Sequence, residues 1–345
     1  MNPRGHINNL RRKLTRFFSR LFLVSDISEV VYDKNINQVK KVLICRPNHR
    51  LGNNLLLTPL VNEITIIFPN SEIHLFTKGD ISDIIFENYK DVVKLIKLPR
   101  KPFTNLIEYL TCWLSILDDN YDIVINSNNQ SSSGILATKL SKSKYKFYNI
   151  LNDKLTHLED YKHHAKNPIY NLRYQFKNQL DRVNKTIPKL DLKLRDYEII
   201  NGGKLLKSMF RDQKPIISIF TFATAEKCLS KNWWSDLYSK LKNFENYNIL
   251  EILPAENLSQ IDFVSKSYYS RDIREIASVM SNVKIFIGAD SGMMHLAHAS
   301  KTKTIGLFNV TKPEFYGVYG NGNISVDINN TSITKLINLI ESELS

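Results

Sequence analysis

Asn282 to Gly320 reads NVKIFIGADSGMMHLAHASKTKTIGLFNVTKPEFYGVYG, and the order of its parts decides the fold class. An apolar run, Val283 to Ile287, stops at Gly288-Ala289-Asp290-Ser291-Gly292. A helical pattern follows at Met293, Met294, Leu296 and Ala297, and a second apolar run covers Thr304 to Phe308. Strand, glycine turn, helix, strand is the repeating unit of a parallel sheet. At such a turn the unpaired backbone N–H groups and the positive end of the helix dipole favour a phosphate. Gly288 and Gly292 would let the backbone approach a ligand, Met293 opens the helix, and Asp290, Ser291 and His295 add polar groups. The pattern is equally compatible with an ordinary βα turn in which Asp290 or Ser291 only caps the helix.

The same unit recurs near the other end of the chain. Lys41-Val-Leu-Ile-Cys-Arg46 is a short buried strand, followed by PNHRLGNNLLLTP, in which Gly52 marks the turn. Asn53 to Phe68 reads as a strongly apolar helix interrupted by Pro59. Further apolar runs at 72–77, 92–98, 121–126 and 145–148, with helical stretches between them, continue an open α/β sheet. SNNQSSSGILATKL (127–140) reads as a polar turn running into a helix, and IPKLDLKL (187–194) as a strand entering an interdomain hinge. A second series follows: a helix from Tyr197 to Phe210, strands from Pro215 to Phe220 and Tyr247 to Leu253, a short SKSYY strand, and a helix from Arg271 to Met280. A last helix covers 331–343.

GADSGMMHLAHA followed by GLFNVTKPEFYGVYG resembles the C-terminal signature of family 9 glycosyltransferases, the heptosyltransferase-like enzymes. In that family a D-[ST]-G-x-x-H-x-A-A turn and a G-x-T-x-P loop hold the diphosphate of a nucleotide-sugar. The resemblance therefore points to Asp290, Ser291, Gly292, Met293, His295 and Thr311 as donor-binding residues. Lys231-Asn232-Trp233 matches the family's K-x-W at the head of a helix, with Thr224 standing for the preceding turn threonine. A lysine there neutralises charge that develops on the leaving nucleoside diphosphate; the plainer reading of Lys231 is an exposed helix-start lysine. VLICRPNHRLGNNLLLTPLVNEI is similar to the family's N-terminal signature, where a G-D-x-[LIV] turn supplies the proposed catalytic base. This chain departs there, with Asn53 after Gly52, and an amide takes no proton at neutral pH. The site is either inactive or draws its base from elsewhere. His49 is the nearest candidate, since an unperturbed imidazole titrates near pH ~6.5, and Asp290 is the second.

The resemblance implies the GT-B architecture: α/β, with two Rossmann-like domains facing a central cleft. The expected units are residues 38–190 on the acceptor side and 191–330 on the nucleotide-sugar side. A helix at 331–345 is expected to pack back toward the first domain. The implied reaction is inverting, metal-independent transfer of a sugar to a lipopolysaccharide core or related envelope glycan. Family usage suggests ADP-heptose as the co-substrate. No DxD-like carboxylate pair stands out as a metal site, and no cofactor is expected. A rival reading is a non-catalytic, membrane-associated nucleotide-sugar-binding protein, motivated by Asn53. A dinucleotide oxidoreductase fits poorly, because no GxGxxG follows either first strand.

Composition bounds these readings. The chain has 345 residues, 43% of them hydrophobic and 10% aromatic, enough for two domains with real cores. Cys45, Cys112 and Cys228 lie far apart without a CxxC pair, which argues for a reducing compartment and against a structural zinc site. The net charge is +13. Nearly half of it comes from Arg4, Arg11, Arg12, Lys13, Arg16 and Arg20, with no acid before Asp26. Projected on a helix, Leu10, Leu14, Phe17, Phe18 and Leu21 cluster opposite Arg12, Lys13, Arg16 and Arg20. Residues 1–30 thus read as a basic amphipathic helix suited to an anionic membrane surface, and the expected location is cytoplasmic, peripheral on the inner membrane. A surface helix or a cleavable targeting peptide is the alternative. No nucleic-acid motif accompanies the charge, so a nucleic-acid partner is not expected. The segment 151–190 reads as an excursion near the acceptor cleft, helical after Pro168 at Ile169, Leu172, Phe176 and Leu180. There Lys162, His163, His164, Lys166 and Arg173 would meet an anionic acceptor or form a solvated basic face.

Overall fold

The computed structural model describes residues 36–101, 105–177, 186–320 and 322–344. The amphipathic helix expected over residues 1–30 and the position Leu180 lie outside them. In chain order the first half runs β1 (Lys41–Cys45), α1 (Leu51–Leu55), α2 (Thr58–Ile67), β2 (Glu72–Lys78), α3 (Ile81–Phe86) and β3 (Val92–Leu98). It continues with α4 (Leu106–Asp118), β4 (Asn120–Asn126), α5 (Ser132–Leu140), β5 (Lys142–Phe147) and α6 (Asn167–Gln175). The second half runs α7 (Asp196–Met209), β6 (Ile216–Phe220), α8 (Lys231–Leu241), β7 (Asn248–Ile252), β8 (Lys266–Tyr268) and α9 (Ile273–Met280). It ends with β9 (Ile285–Ala289), α10 (Gly292–Ala299), β10 (Thr304–Phe308), α11 (Pro313–Tyr316), β11 (Ile324–Asp327) and α12 (Ile333–Leu344).

Two parallel sheets result, ordered β3-β2-β1-β4-β5 and β11-β10-β9-β6-β7-β8. Each is a doubly wound sheet, and together they form the two Rossmann-like domains of a GT-B fold. The strands form because they are short apolar runs buried on both faces: β6, β9 and β10 are buried at every position. In both sheets the strand order reverses beside the first strand, between β1 and β4 and between β6 and β9. Crevices for ligands open at the carboxyl ends of strands at that place. The turn after β1 and the turn after β9 both lie there.

Three expectations are corrected. The helix read from Asn53 to Phe68 is two helices, broken at Leu56 and Leu57, with Pro59 in the first turn of α2, where its missing N–H costs nothing. The stretch 187–194 pairs with no strand. It is an extended connector whose Leu190 and Leu192 are buried and whose Leu192 N–H donates to the Ala299 carbonyl. The final helix does not leave the second domain. Its buried Leu336, Ile340 and Leu344 share a core with Ile217, Trp234, Leu237 and Ile305, because its apolar stripe matches the outer face of α8 and the second sheet.

The domains are tied at the connector. The Arg274 guanidinium of α9 pairs with Glu198 at 2.6 Å and donates to the carbonyls of Ile84, Leu192 and Lys193. Asn88 and Tyr89 of the first domain donate to the Lys193 and Asp191 carbonyls.

Candidate active site

The site grows from the βα turn after β9. The strand's hydrogen-bond ladder carries the chain up to Asp290, whose N–H donates to the Leu307 carbonyl. Ser291 then takes an extended conformation, and its hydroxyl accepts from the Met294 N–H, capping α10. The cap secures the helix start, and Ser291, Gly292 and Met293 remain partly open. Gly288 plays another part than close approach to a ligand. It lies within β9, and a Cβ there would meet the Phe286 ring at 2.8 Å, so it is a packing glycine. Gly292 does permit a close approach, but of the other domain: a Cβ would stand 3.1 Å from Leu51 Cβ and 3.3 Å from the Gly52 N atom.

Gly52 reciprocates, since a Cβ on it would sit 2.8 Å from His295 Cδ2. The two glycine turns, more than two hundred residues apart in sequence, therefore face each other across the domain seam with His295 between them. Burial, opposed by the Asp290 carboxylate, pushes the His295 imidazole down to about 4, so the ring is neutral. Its Nε2 faces Asp290 at 4.0 Å and its buried Nδ1 has no partner.

The Asp290 carboxylate is buried and taken up by two side chains that converge from other loops. Lys227 Nζ pairs with it at 2.5 Å, and the Thr311 hydroxyl donates to the same oxygen. Lys227 also lies 5.7 Å from the Tyr316 ring centre. Thr311 thus joins the turn as the resemblance implied, whereas Lys231 does not. Lys231 heads α8, capped by Ser230, and pairs with Asp262 on an exposed surface. Thr224 is exposed and its side chain makes no capping bond. The lysine beside the turn is Lys227, four residues before the one in K-x-W. Its signal was present in the sequence as one of two lysines in a short loop, and spacing alone did not choose between them.

On the opposite side, Arg46 directly follows β1 and is 3% exposed. Its Nη2 donates to Asn53 Oδ1 at 2.8 Å and its Nη1 to the Ser127 carbonyl at 3.4 Å, while its Nε has no partner. Burial lowers the guanidinium to about 10, and the nearby Tyr316 hydroxyl offsets part of that. Here a buried cation meets neutral acceptors. An aspartate at position 53 would make this contact an ion pair; asparagine leaves the charge uncompensated. His49 sits exposed on the loop between β1 and α1. Partial burial, with Lys78, Arg100 and Arg50 around it, holds its imidazole below its ordinary range, so it is neutral at pH 7 and able to accept a proton.

The basic excursion is corrected in part. Arg173 forms a bidentate pair with the fully buried Glu63 at 2.6 and 2.9 Å, clamping α6 to α2. Lys166 pairs with Asp160 and lies over the Tyr319 ring. His163 donates from Nε2 to the Gly317 carbonyl, and the His164 N–H donates to that of Phe315. His163, His164 and Lys166 thus reach Gly317, Phe315 and Tyr319 of the second domain, Arg173 is used within the first, and of the five only Lys162 is exposed.

Comparison with known proteins bears on the fold and on the stretch around this turn. The family model for glycosyltransferase family 9 (heptosyltransferase) matches residues 270–337, the stretch from α9 to α12. No curated protein matches the sequence. Among solved structures, a family 9 glycosyl transferase from Veillonella parvula superposes with a TM-score of 0.70 at 17% identity, covering 91% of this chain and 99% of that one. E. coli heptosyltransferase WaaC with ADP gives 0.63 at 16% identity over 88% and 99%. E. coli ADP-heptose lipopolysaccharide heptosyltransferase II gives 0.64 at 12% identity over 88% and 98%. The likenesses establish the shared GT-B frame, and the family signature falls on the turn that organises the site. The family match is confined to that stretch, and over its whole length the chain is similar to family 9 glycosyltransferases in fold.

Proposed function

We propose that the chain transfers a sugar from a nucleoside-diphosphate sugar to a hydroxyl of a lipopolysaccharide core or related anionic envelope glycan, by inverting displacement without a metal. The observation that carries this reading is the pair of turns meeting at Gly52 and Gly292, with Asp290, Lys227 and Thr311 gathered on the donor side. The acceptor hydroxyl would attack the anomeric carbon as the bond from that carbon to the diphosphate oxygen breaks. The hydroxyl proton would pass to a base and the nucleoside diphosphate would leave. The amides heading α10 and the Lys227 ammonium would take up the charge developing on it. Lys227 would have to exchange Asp290 for phosphate, and the carboxylate would hold the lysine in place until the donor arrives. Thr311 and Ser291 would help fix the diphosphate, and Thr224 would act from the loop edge. Two relatives are described with ADP or ADP-heptose, which supports ADP-heptose as the first donor to test. Among the described residues no three His, Cys, Asp or Glu side chains gather into a metal-ligating set.

Asn53 leaves the base to be found, and His49 is the assignment we favour, because it is exposed and neutral at working pH. Buried Arg46 would then face negative charge on a substrate instead of on residue 53. The competing reading, a nucleotide-sugar-binding protein without turnover, is favoured by the same Arg46–Asn53 contact. Incubation with a panel of nucleotide-sugars and a core-oligosaccharide acceptor separates the two. Product formation supports transfer, and specific nucleotide binding without turnover across the panel supports the binding protein. The location proposed is the cytoplasmic face of the inner membrane, reached through the basic segment at residues 1–30. Among the described residues no helix is long and apolar enough to cross a membrane.

A further inference from the structure

Helix α4 carries apolar side chains on two adjoining faces. Ile116, with Tyr109, Cys112 and Trp113, packs inward on Phe76, Ile96 and Leu98 of the first sheet. Leu106, Ile107, Leu110 and Leu114 share the other side by their spacing, and they are 56, 83, 53 and 57% exposed. A helix with so wide an apolar arc is ordinarily covered over all of it. A contiguous stripe of large exposed aliphatics marks a surface that something occupies.

The charge around the start of α4 says what that is. The helix begins beyond the carboxyl edge of the first sheet, where Arg100 lies against Gly79. Arg100, Arg50 and Lys78 are near enough to act together on His49, and Arg100, Lys101 and Arg50 are exposed. Glu108, the acid in the first turn, is bonded by Asn105. The same chain begins with six basic residues before its first acid. An apolar stripe with a basic rim fits an anionic bilayer, which offers an apolar layer beneath negative headgroups.

We propose that α4 is a membrane-docking element: the stripe Leu106, Ile107, Leu110 and Leu114 enters the interfacial layer of an anionic bilayer, and the exposed Arg50 and Arg100 face its headgroups. The acceptor-side edge of the cleft, where the β1–α1 loop carries His49, then lies against the surface that would present a glycolipid. This deepens the membrane-facing part of the function proposed above. It stands apart from sugar transfer, because binding is read without any donor.

The test is flotation of the full chain with vesicles of phosphatidylethanolamine and phosphatidylglycerol, against vesicles of phosphatidylcholine alone. The parent and Ile107→Ser/Leu110→Ser are compared, with an unchanged melting temperature as evidence that the variant folds. The parent is expected to bind anionic vesicles with salt-sensitive affinity, and the double variant to partition about tenfold more weakly or less. An Ile107→Trp variant should gain fluorescence that brominated acyl chains quench. The proposal is overturned if the double variant partitions like the parent, if the new tryptophan is not quenched, or if the parent is a multimer that these substitutions split, which would make the stripe a protein–protein contact. Loss of transfer with vesicle binding intact would count against the sugar-transfer reading alone.

Discussion

The turn after β1 and the turn after β9 occupy equivalent places in two equivalent sheets, yet they are built on opposite electrostatic plans. At the second turn an acid, Asp290, is buried and answered by a cation, Lys227, and a hydroxyl, Thr311. At the first turn a cation, Arg46, is buried and answered by an amide and a carbonyl. The second turn is internally compensated. The first is internally unbalanced and gains by meeting an anion. A shared topology therefore places the two turns alike but does not set the charge that each presents.

The sharpest way to break this contrast is at the base. With His49 as general base, His49→Gln should lower the transfer rate by about a hundredfold or more and remove the acidic limb of the pH–rate profile. A variant with full activity would return the role to unassigned. The lysines come next. Lys227→Met should weaken nucleoside-diphosphate binding by about ten- to a hundredfold in calorimetry, the size of one charge-assisted hydrogen bond. Lys231→Met should change it by about twofold or less, since its partner is the exposed Asp262. The reverse ranking would restore the K-x-W assignment. A third change equalises the two turns: Asn53→Asp offers Arg46 a carboxylate and the site an alternative base. It should restore about tenfold of the rate lost in His49→Gln; no recovery would mean that position 53 no longer faces the acceptor.

The smallest effect concerns stability. Burial pushes His295 down to about 4, and His163 and His298 down to about 3, below the imidazole's usual range. In each case the unfolded chain binds the proton more readily. The stability present above pH ~6.5 is therefore lost as pH falls toward the folded values, with little change above pH 7. Melting temperature should drop by about 5 °C or more between pH 7 and 5, with a shallower slope in His295→Gln. A flat profile would show that these rings are not buried neutral at the seam.

The strands, the two glycine turns and the α/β class were legible in the sequence because apolar runs of five to seven residues ending at glycine have few other readings. Boundaries shifted where local pattern underdetermines structure. Pro59 reads as an interruption but serves as the first turn of a new helix. IPKLDLKL alternates like a strand, yet it finds no partner strand and buries its leucines as a connector. The final helix shows an apolar stripe, and a stripe does not say which core it will join.

What the sequence determined by itself is local: which runs are buried, where the chain must turn, and that Asn53 cannot take a proton. The tertiary structure decided which side chains from separate loops meet. It put Lys227 rather than Lys231 on Asp290, and Arg46 on Asn53. It set His295 between glycines from two domains and turned the basic excursion into an interdomain seam. The physical reason is that charge pairing and burial depend on distances across the fold, which spacing along the chain does not contain, whereas hydrophobic periodicity is written residue by residue.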